Sequence, residues 1–114
     1  MCGALAEAGR VHPQAPVTLV GHSMGGRAAL RAADEPQVEG VCALAPWIED
    51  GEPHEHLVGK RLLLAHGTRD RITDPRMSAW FAQVTGAHFV AVDGDTHAML
   101  RRAGTWRTLV KDFV

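Results

Sequence analysis

The chain has 114 residues, 46% apolar and 22% charged, with 12 Lys and Arg against 13 Asp and Glu and a formal net charge of −1. That size and balance fit one globular domain spanning 1–114. Near-neutral charge gives no electrostatic reason for nucleic acid or an anionic membrane as a partner, and no apolar run approaches membrane-spanning length.

The opening stretch "MCGALAEAGR" lacks the basic start and long apolar run of a signal peptide. Cys2 and Cys42 are the only cysteines, and Cys42 lies in an apolar run. Two reduced thiols are therefore expected, not a disulfide, and the expected location is cytoplasmic. The stretch "MCGALAEAGRVHPQAP" resembles the tail of a helix.

Val17–Gly21 then reads as a buried strand, followed by a helix over Met24–Ala33, rich in good helix formers despite Gly25 and Gly26 at its start. A second apolar strand spans Gly40–Ala45. The polar segment 47–59, "WIEDGEPHEHLVG", reads as a loop with room for a short helix. A third strand is expected over Arg61–Ala65, then a helix over Pro75–Val84 with Met77, Trp80, Phe81 and Val84 on one face. His88–Val92 gives the fourth strand. Ala98–Phe113 gives a closing helix with Met99, Ala103, Trp106, Val110 and Phe113 on one face. Strands alternating with helices predict the α/β class, a parallel sheet of about four strands with flanking helices.

The first strand runs into its helix through "GHSMGG". A sharp strand–serine–helix corner pushes the Ser23 hydroxyl off the carboxyl edge of the sheet and aims helix amides at the same space. Glycines at 21 and 25 are expected to remove Cβ atoms that would clash there. The amides and the helix dipole favour developing negative charge, as acyl transfer requires, and the Met24 N–H is the expected oxyanion donor. The bland alternative is a structural serine capping the helix.

A serine hydroxyl needs a base, and the base needs an orienting acid. The third strand runs into "HGTRDRITDP", with Asp70 in the loop, and the fourth into "VDGDTHAML", with His97 before the closing helix. Asp74 stands before Pro75 as a helix N-cap would, so Asp70 is the expected acid and Asp74 its competitor. Asp93 and Asp95 read as turn-stabilising aspartates. His22 is expected to pack or hydrogen-bond under the corner, and His66 and His88 to be structural. His54 and His56 in "EPHEH" lack further ligands at metal spacing and read as a solvated loop. Arg69 and Arg71 flank the acid as surface charges able to attract an anionic substrate. Trp47, after a strand end, is a candidate pocket-lining residue or a packing one.

"GHSMGG", "HGTRDRITDP" and "GDTHAML", in that order, resemble the serine loop, acid loop and histidine loop of serine α/β-hydrolases, the esterase and lipase-like superfamily. The resemblance covers the chain from about Val17 onward. It implies Ser23 as nucleophile, His97 as general base and acid, and Asp70 as the residue orienting His97, with no cofactor or metal and a small ester-like substrate. It also implies what is missing: the strands that precede the serine strand in that fold and the loop supplying a second oxyanion donor. The chain thus reads as an amino-terminally truncated version of the fold, with strand 17–21 an exposed edge through which a homodimer could form. Only the closing helix is expected on one face of the sheet. Two functions follow: a serine hydrolase of carboxylic esters acting through an acyl-enzyme, or a catalytically weak remnant that needs a partner to complete its fold.

Overall fold

The computed structural model describes residues 15–99 and 101–114. The expected helical tail before Val17 and the thiol of Cys2 fall largely or wholly outside them. Four strands and three helices alternate: β1 (Val17–His22), α1 (Met24–Ala32), β2 (Val38–Leu44), β3 (Arg61–Gly67), α2 (Pro75–Thr85), β4 (His88–Val92) and α3 (Ala103–Phe113). A single 3-10 turn, Glu55–Leu57, lies between β2 and β3. The strands pair in chain order, all parallel, so every strand's carboxyl end opens on the same edge of the sheet. No helix among the described residues is long and apolar enough to cross a membrane.

The continuous apolar runs of β2 and β3 belong to strands covered on both faces, as central strands of a parallel sheet are. Val41, Ala43, Leu62 and Leu64 face a core completed by Ala29, Leu30, Leu57 and Phe81. Their neighbours Cys42, Leu44, Leu63 and Ala65 face the other side, against Trp106, Leu109, Val110 and Phe113. The first face carries α1 and α2, and the second carries α3, as the sequence implied. Burial pushes the Cys42 thiol up to about 11, so it behaves as a small apolar side chain. Among the described residues β1 has one strand neighbour, β2, and its side chains are half-buried or exposed.

Two helices differ from expectation. α2 buries Ser78, Phe81, Ala82 and Thr85, whereas Trp80 and Val84 are 41% and 38% exposed. A polar contact fixes this rotation: the Ser78 hydroxyl bonds His66 Nδ1 of β3 at 2.8 Å, while the buried Thr85 hydroxyl is satisfied within the helix by Phe81 O at 2.8 Å. α3 starts at Ala103, not Ala98, because the Asp95 carboxylate accepts from the Arg101 and Arg102 amides at 3.2 and 3.0 Å and fixes where the helix begins.

The β1–α1 corner needs glycine at 21, as expected, but not at 25; the second tight position is 26. A Cβ on Gly21 would lie 2.7 Å from the Gly26 amide nitrogen and closer still to the Gly25 carbonyl. A Cβ on Gly26 would lie 3.1 Å from Pro46 Cβ, whereas one on Gly25 would meet nothing within 4 Å. Gly21→Ala is therefore expected to destabilise the protein by about 1–3 kcal/mol through overpacking. Gly25→Ala should stabilise it by about 0.5–1 kcal/mol by restricting the unfolded chain. Urea denaturation of the two variants checks this, and equal effects would contradict the crowding argument.

Candidate functional site

At the carboxyl edge, the Ser23 amide donates to Leu44 O at 2.9 Å, and Ser23 O accepts from the Arg27 and Trp47 amides at 3.2 and 3.3 Å. These bonds hold Ser23 at φ 57°, ψ −119°, a left-handed conformation that costs a non-glycine residue on the order of 1–3 kcal/mol. Its side chain makes no capping hydrogen bond to α1, which removes the reading of Ser23 as a cap. Its Oγ lies instead 2.9 Å from His97 Nε2.

The other ring nitrogen, His97 Nδ1, lies 2.7 Å from Asp70 Oδ2. The ionised carboxylate only accepts, so Nδ1–H donates to Asp70 and the neutral ring accepts the Ser23 hydroxyl at Nε2. Ser23, Asp70 and His97, on three separate loops, thus meet in one chain of hydrogen bonds. The Asp70 side chain has no exposed surface. Its Oδ1 accepts from the Ile72 and Thr73 amides at 2.8 and 2.9 Å, and its Oδ2 also accepts from the Thr73 hydroxyl at 2.9 Å. Burial pushes the carboxyl up, but the Thr73 amide, His97, the Ile72 amide and the Thr73 hydroxyl outweigh it and hold Asp70 below the usual carboxylate range.

The sequence marked His66 as structural, as it is, but not that it lies beneath Asp70. His66, fully buried, sets Nε2 3.1 Å from Asp70 Oδ2 and 3.0 Å from the Thr73 hydroxyl, while Nδ1 meets Ser78. Burial, the largest influence, holds its pKa below the ordinary histidine value and favours the neutral ring. Every atom near Nε2 is an acceptor, so Nε2 carries the proton and Nδ1 accepts from Ser78. The only signal for this in the sequence is a histidine four residues before the acid, too common to read alone.

Other candidates fall into place around this centre. Asp74 is the N-cap of α2, accepting from the Arg76 amide at 2.9 Å, with Pro75 in the first turn. His22 takes the hydrogen-bonding option, from an exposed position: its Nε2 lies 3.0 Å from His97 O and its ring 4.9 Å from the His97 ring. His88 is exposed at the start of β4, at the opposite end of the strand from the Ser23 edge. Met24 opens α1, so its amide has no acceptor within the helix. Trp47 stays 41% exposed beside the Ser23 corner. The 47–59 loop is pinned, not simply solvated: buried Glu52 pairs with Arg27 and Arg31 at 3.1 and 2.7 Å, and His56 Nε2 bonds Leu30 O at 2.8 Å.

Asp95, fully buried, seats the histidine loop. It accepts from Trp106 Nε1 at 2.6 Å and from the Thr96, Arg101 and Arg102 amides. A Cβ on Gly67 would sit 2.7 Å from the Asp95 carbonyl carbon, so that glycine lets the loop close on β3.

A family of sequences described as the alpha/beta hydrolase domain matches residues 2–109. The chain belongs to the alpha/beta hydrolase family. Solved structures agree on the fold. A predicted CIB-like hydrolase from Thermoplasma acidophilum superposes with a TM-score of 0.80 at 22% identity, over 98% of this chain and 56% of its own. Est1E from Butyrivibrio proteoclasticus gives 0.81 at 17% identity, over 96% of this chain and 64% of its own. A monoacylglycerol lipase from Paleococcus ferrophilus gives 0.71 at 16% identity, over 96% of this chain and 72% of its own. The chain therefore spans part of the alpha/beta hydrolase fold, 56% of the Thermoplasma protein's length. Comparison with curated proteins finds no match.

The Asp95 seat makes a stability prediction. Burial pushes its carboxyl up, but Trp106 and the Thr96, Arg102 and Arg101 amides together hold it below the usual range. Such a group stabilises the fold fully above the ordinary carboxylate pKa, and the contribution is lost as pH falls through the lowered folded value. Asp95→Asn is expected to lower stability by about 2 kcal/mol at pH 7 by weakening charge-assisted bonds. The gap in Tm from wild type should narrow as the pH is taken below the carboxylate range; a gap that stays constant would contradict the assignment.

Proposed function

We propose that this chain is a serine hydrolase of carboxylic esters that works through an acyl-enzyme. One observation carries the reading: a serine hydroxyl, an imidazole and a buried carboxylate stand in relay at 2.9 and 2.7 Å. Ser23 Oγ attacks the ester carbonyl as its proton passes to His97 Nε2, and the carbonyl π electrons move onto oxygen. Asp70 keeps His97 in the tautomer with Nε2 free and stabilises the imidazolium. The tetrahedral intermediate collapses, the C–O bond to the alcohol breaks, and Nε2–H returns the proton to the departing oxygen. Water then repeats the sequence on the acyl-serine and frees the acid.

The Met24 amide, at the first position of α1, is the oxyanion donor in this reading, helped by the positive end of the helix dipole. Trp47, half-exposed beside Ser23, borders the substrate's approach. The strain at Ser23 supports the reading, because a serine with only a structural role would have no reason to hold a left-handed conformation and forgo its cap. The likeness to the Paleococcus monoacylglycerol lipase points the same way as an analogy of fold.

A fluorophosphonate probe together with hydrolysis of p-nitrophenyl butyrate tests the proposal. Wild type should label and hydrolyse, Ser23→Ala should not label, and ester turnover should fall on the order of 10⁶-fold in Ser23→Ala and 10⁴-fold in Asp70→Asn. Folded protein, verified by circular dichroism, that neither labels nor hydrolyses would contradict the proposal and favour the inactive-remnant reading.

A further inference from the structure

Beside the relay, the loops after β3 and β4 enclose an open cavity of about 870 Å³. His97 forms part of one wall, and the exposed Arg69, Arg71 and Arg101 line the cavity together with Asp70 and Ile72, among others. This concentration of positive charge stands out in a chain whose formal net charge is −1.

The three guanidinium groups are also unengaged. Elsewhere, Arg27 and Arg31 pair with Glu52, Arg76 pairs with Asp74, and Arg61 bonds Phe113 O and stacks over its ring. The side chains of Arg69, Arg71 and Arg101 make no ion pair or hydrogen bond among the described residues. The buried carboxylates near them, Asp70 and Asp95, are committed to other donors, and exposed Asp93 makes no ion pair among the described residues. Asp70 is taken by His97, His66, Thr73 and Ile72. Asp95 is taken by Trp106 and three amides, and Asp93 lies against the Thr68 hydroxyl at 3.5 Å. Three like charges around one concavity repel one another, raise the local positive potential and favour an anion between them. Guanidinium forks suit carboxylate and phosphate oxygens, which they bind in pairs.

The cavity's place relative to His97 decides which part of a substrate it meets. In the mechanism proposed above, His97 returns its proton to the departing oxygen, so the group nearest this wall is the alcohol portion. We propose that the cavity receives a carboxylate or phosphate carried on the alcohol portion of the ester, so that the substrates are esters of anionic alcohols. This rests on the serine hydrolase reading of the same site. The reaction balances as before, since the anion is held and not transformed.

Two measurements test it. The first compares the butyrate esters of 3-hydroxypropanoate and of 3-hydroxypropanamide, matched in size and differing in charge. Wild type should favour the carboxylate by about tenfold in kcat/KM, the sum of a few partly exposed charge contacts. The preference should shrink with added salt as screening rises. It should collapse towards one in the triple variant Arg69→Gln/Arg71→Gln/Arg101→Gln. The second titrates glycerol 3-phosphate into Ser23→Ala protein and follows the amide resonances of Thr68, Thr96 and Ala98. Saturable shifts are expected, absent with glycerol and absent when the three arginines are replaced. Equal turnover of both esters, or phosphate shifts indifferent to the arginines, would overturn the anion site and leave the hydrolase reading intact. No turnover of either ester, with arginine-dependent phosphate binding, would overturn the hydrolase reading and support the anion site.

Discussion

The hydrogen bond from His97 Nδ1 to Asp70 Oδ2, 2.7 Å long, holds the functional edge together. It joins the loop after β3 to the loop after β4 and turns the other face of the imidazole towards Ser23. A carboxylate with no exposed surface is costly unless its lone pairs are filled. The chain fills them locally: the Ile72 and Thr73 amides, the Thr73 hydroxyl and His66 Nε2 all come from within four residues of Asp70. The Asp70 carboxylate is thus held by its own loop independently of His97, which adds one further donor to it.

The parallel sheet makes that contact possible. Strands paired in chain order bring residue 23 and the loops at 45–47, 67–73 and 93–97 to one edge, although Ser23 and His97 are 74 residues apart. Binding clefts of open α/β sheets form at this edge for the same reason. The side chains that seat the loops are buried and polar, among them Asp95 under the histidine loop and Glu52 under the 47–59 loop. Specificity of loop position here comes from satisfied buried polar groups more than from apolar packing, and those groups lose most when a partner is removed.

The sequence showed the strands well, because short apolar runs rich in Val, Leu and Ala alternate with helical patterns along the chain. β4 falls on His88–Val92 as expected, β1 and β3 extend one and two residues further, and β2 begins two residues earlier, at Val38. The positions of Ser23, Asp70 and His97 were legible because each follows a strand end. What stayed hidden depends on contacts between distant residues. The start of α3 is set by Asp95 from outside the helix, the buried face of α2 by His66, and the crowding at Gly26 by Pro46. Periodicity along one segment carries none of that information, nor does it reveal that three arginines on two loops share one cavity.

The account's central claim is that His97 is held between Asp70 and Ser23 with its proton on Nδ1. Proton NMR of the full chain, with the imidazole nitrogens labelled with ¹⁵N, tests it most directly. The account predicts a far-downfield Nδ1–H resonance that survives Ser23→Ala and disappears in Asp70→Asn. A folded protein in which that proton resides on Nε2, or in which Asp70→Asn leaves the resonance in place, would contradict it.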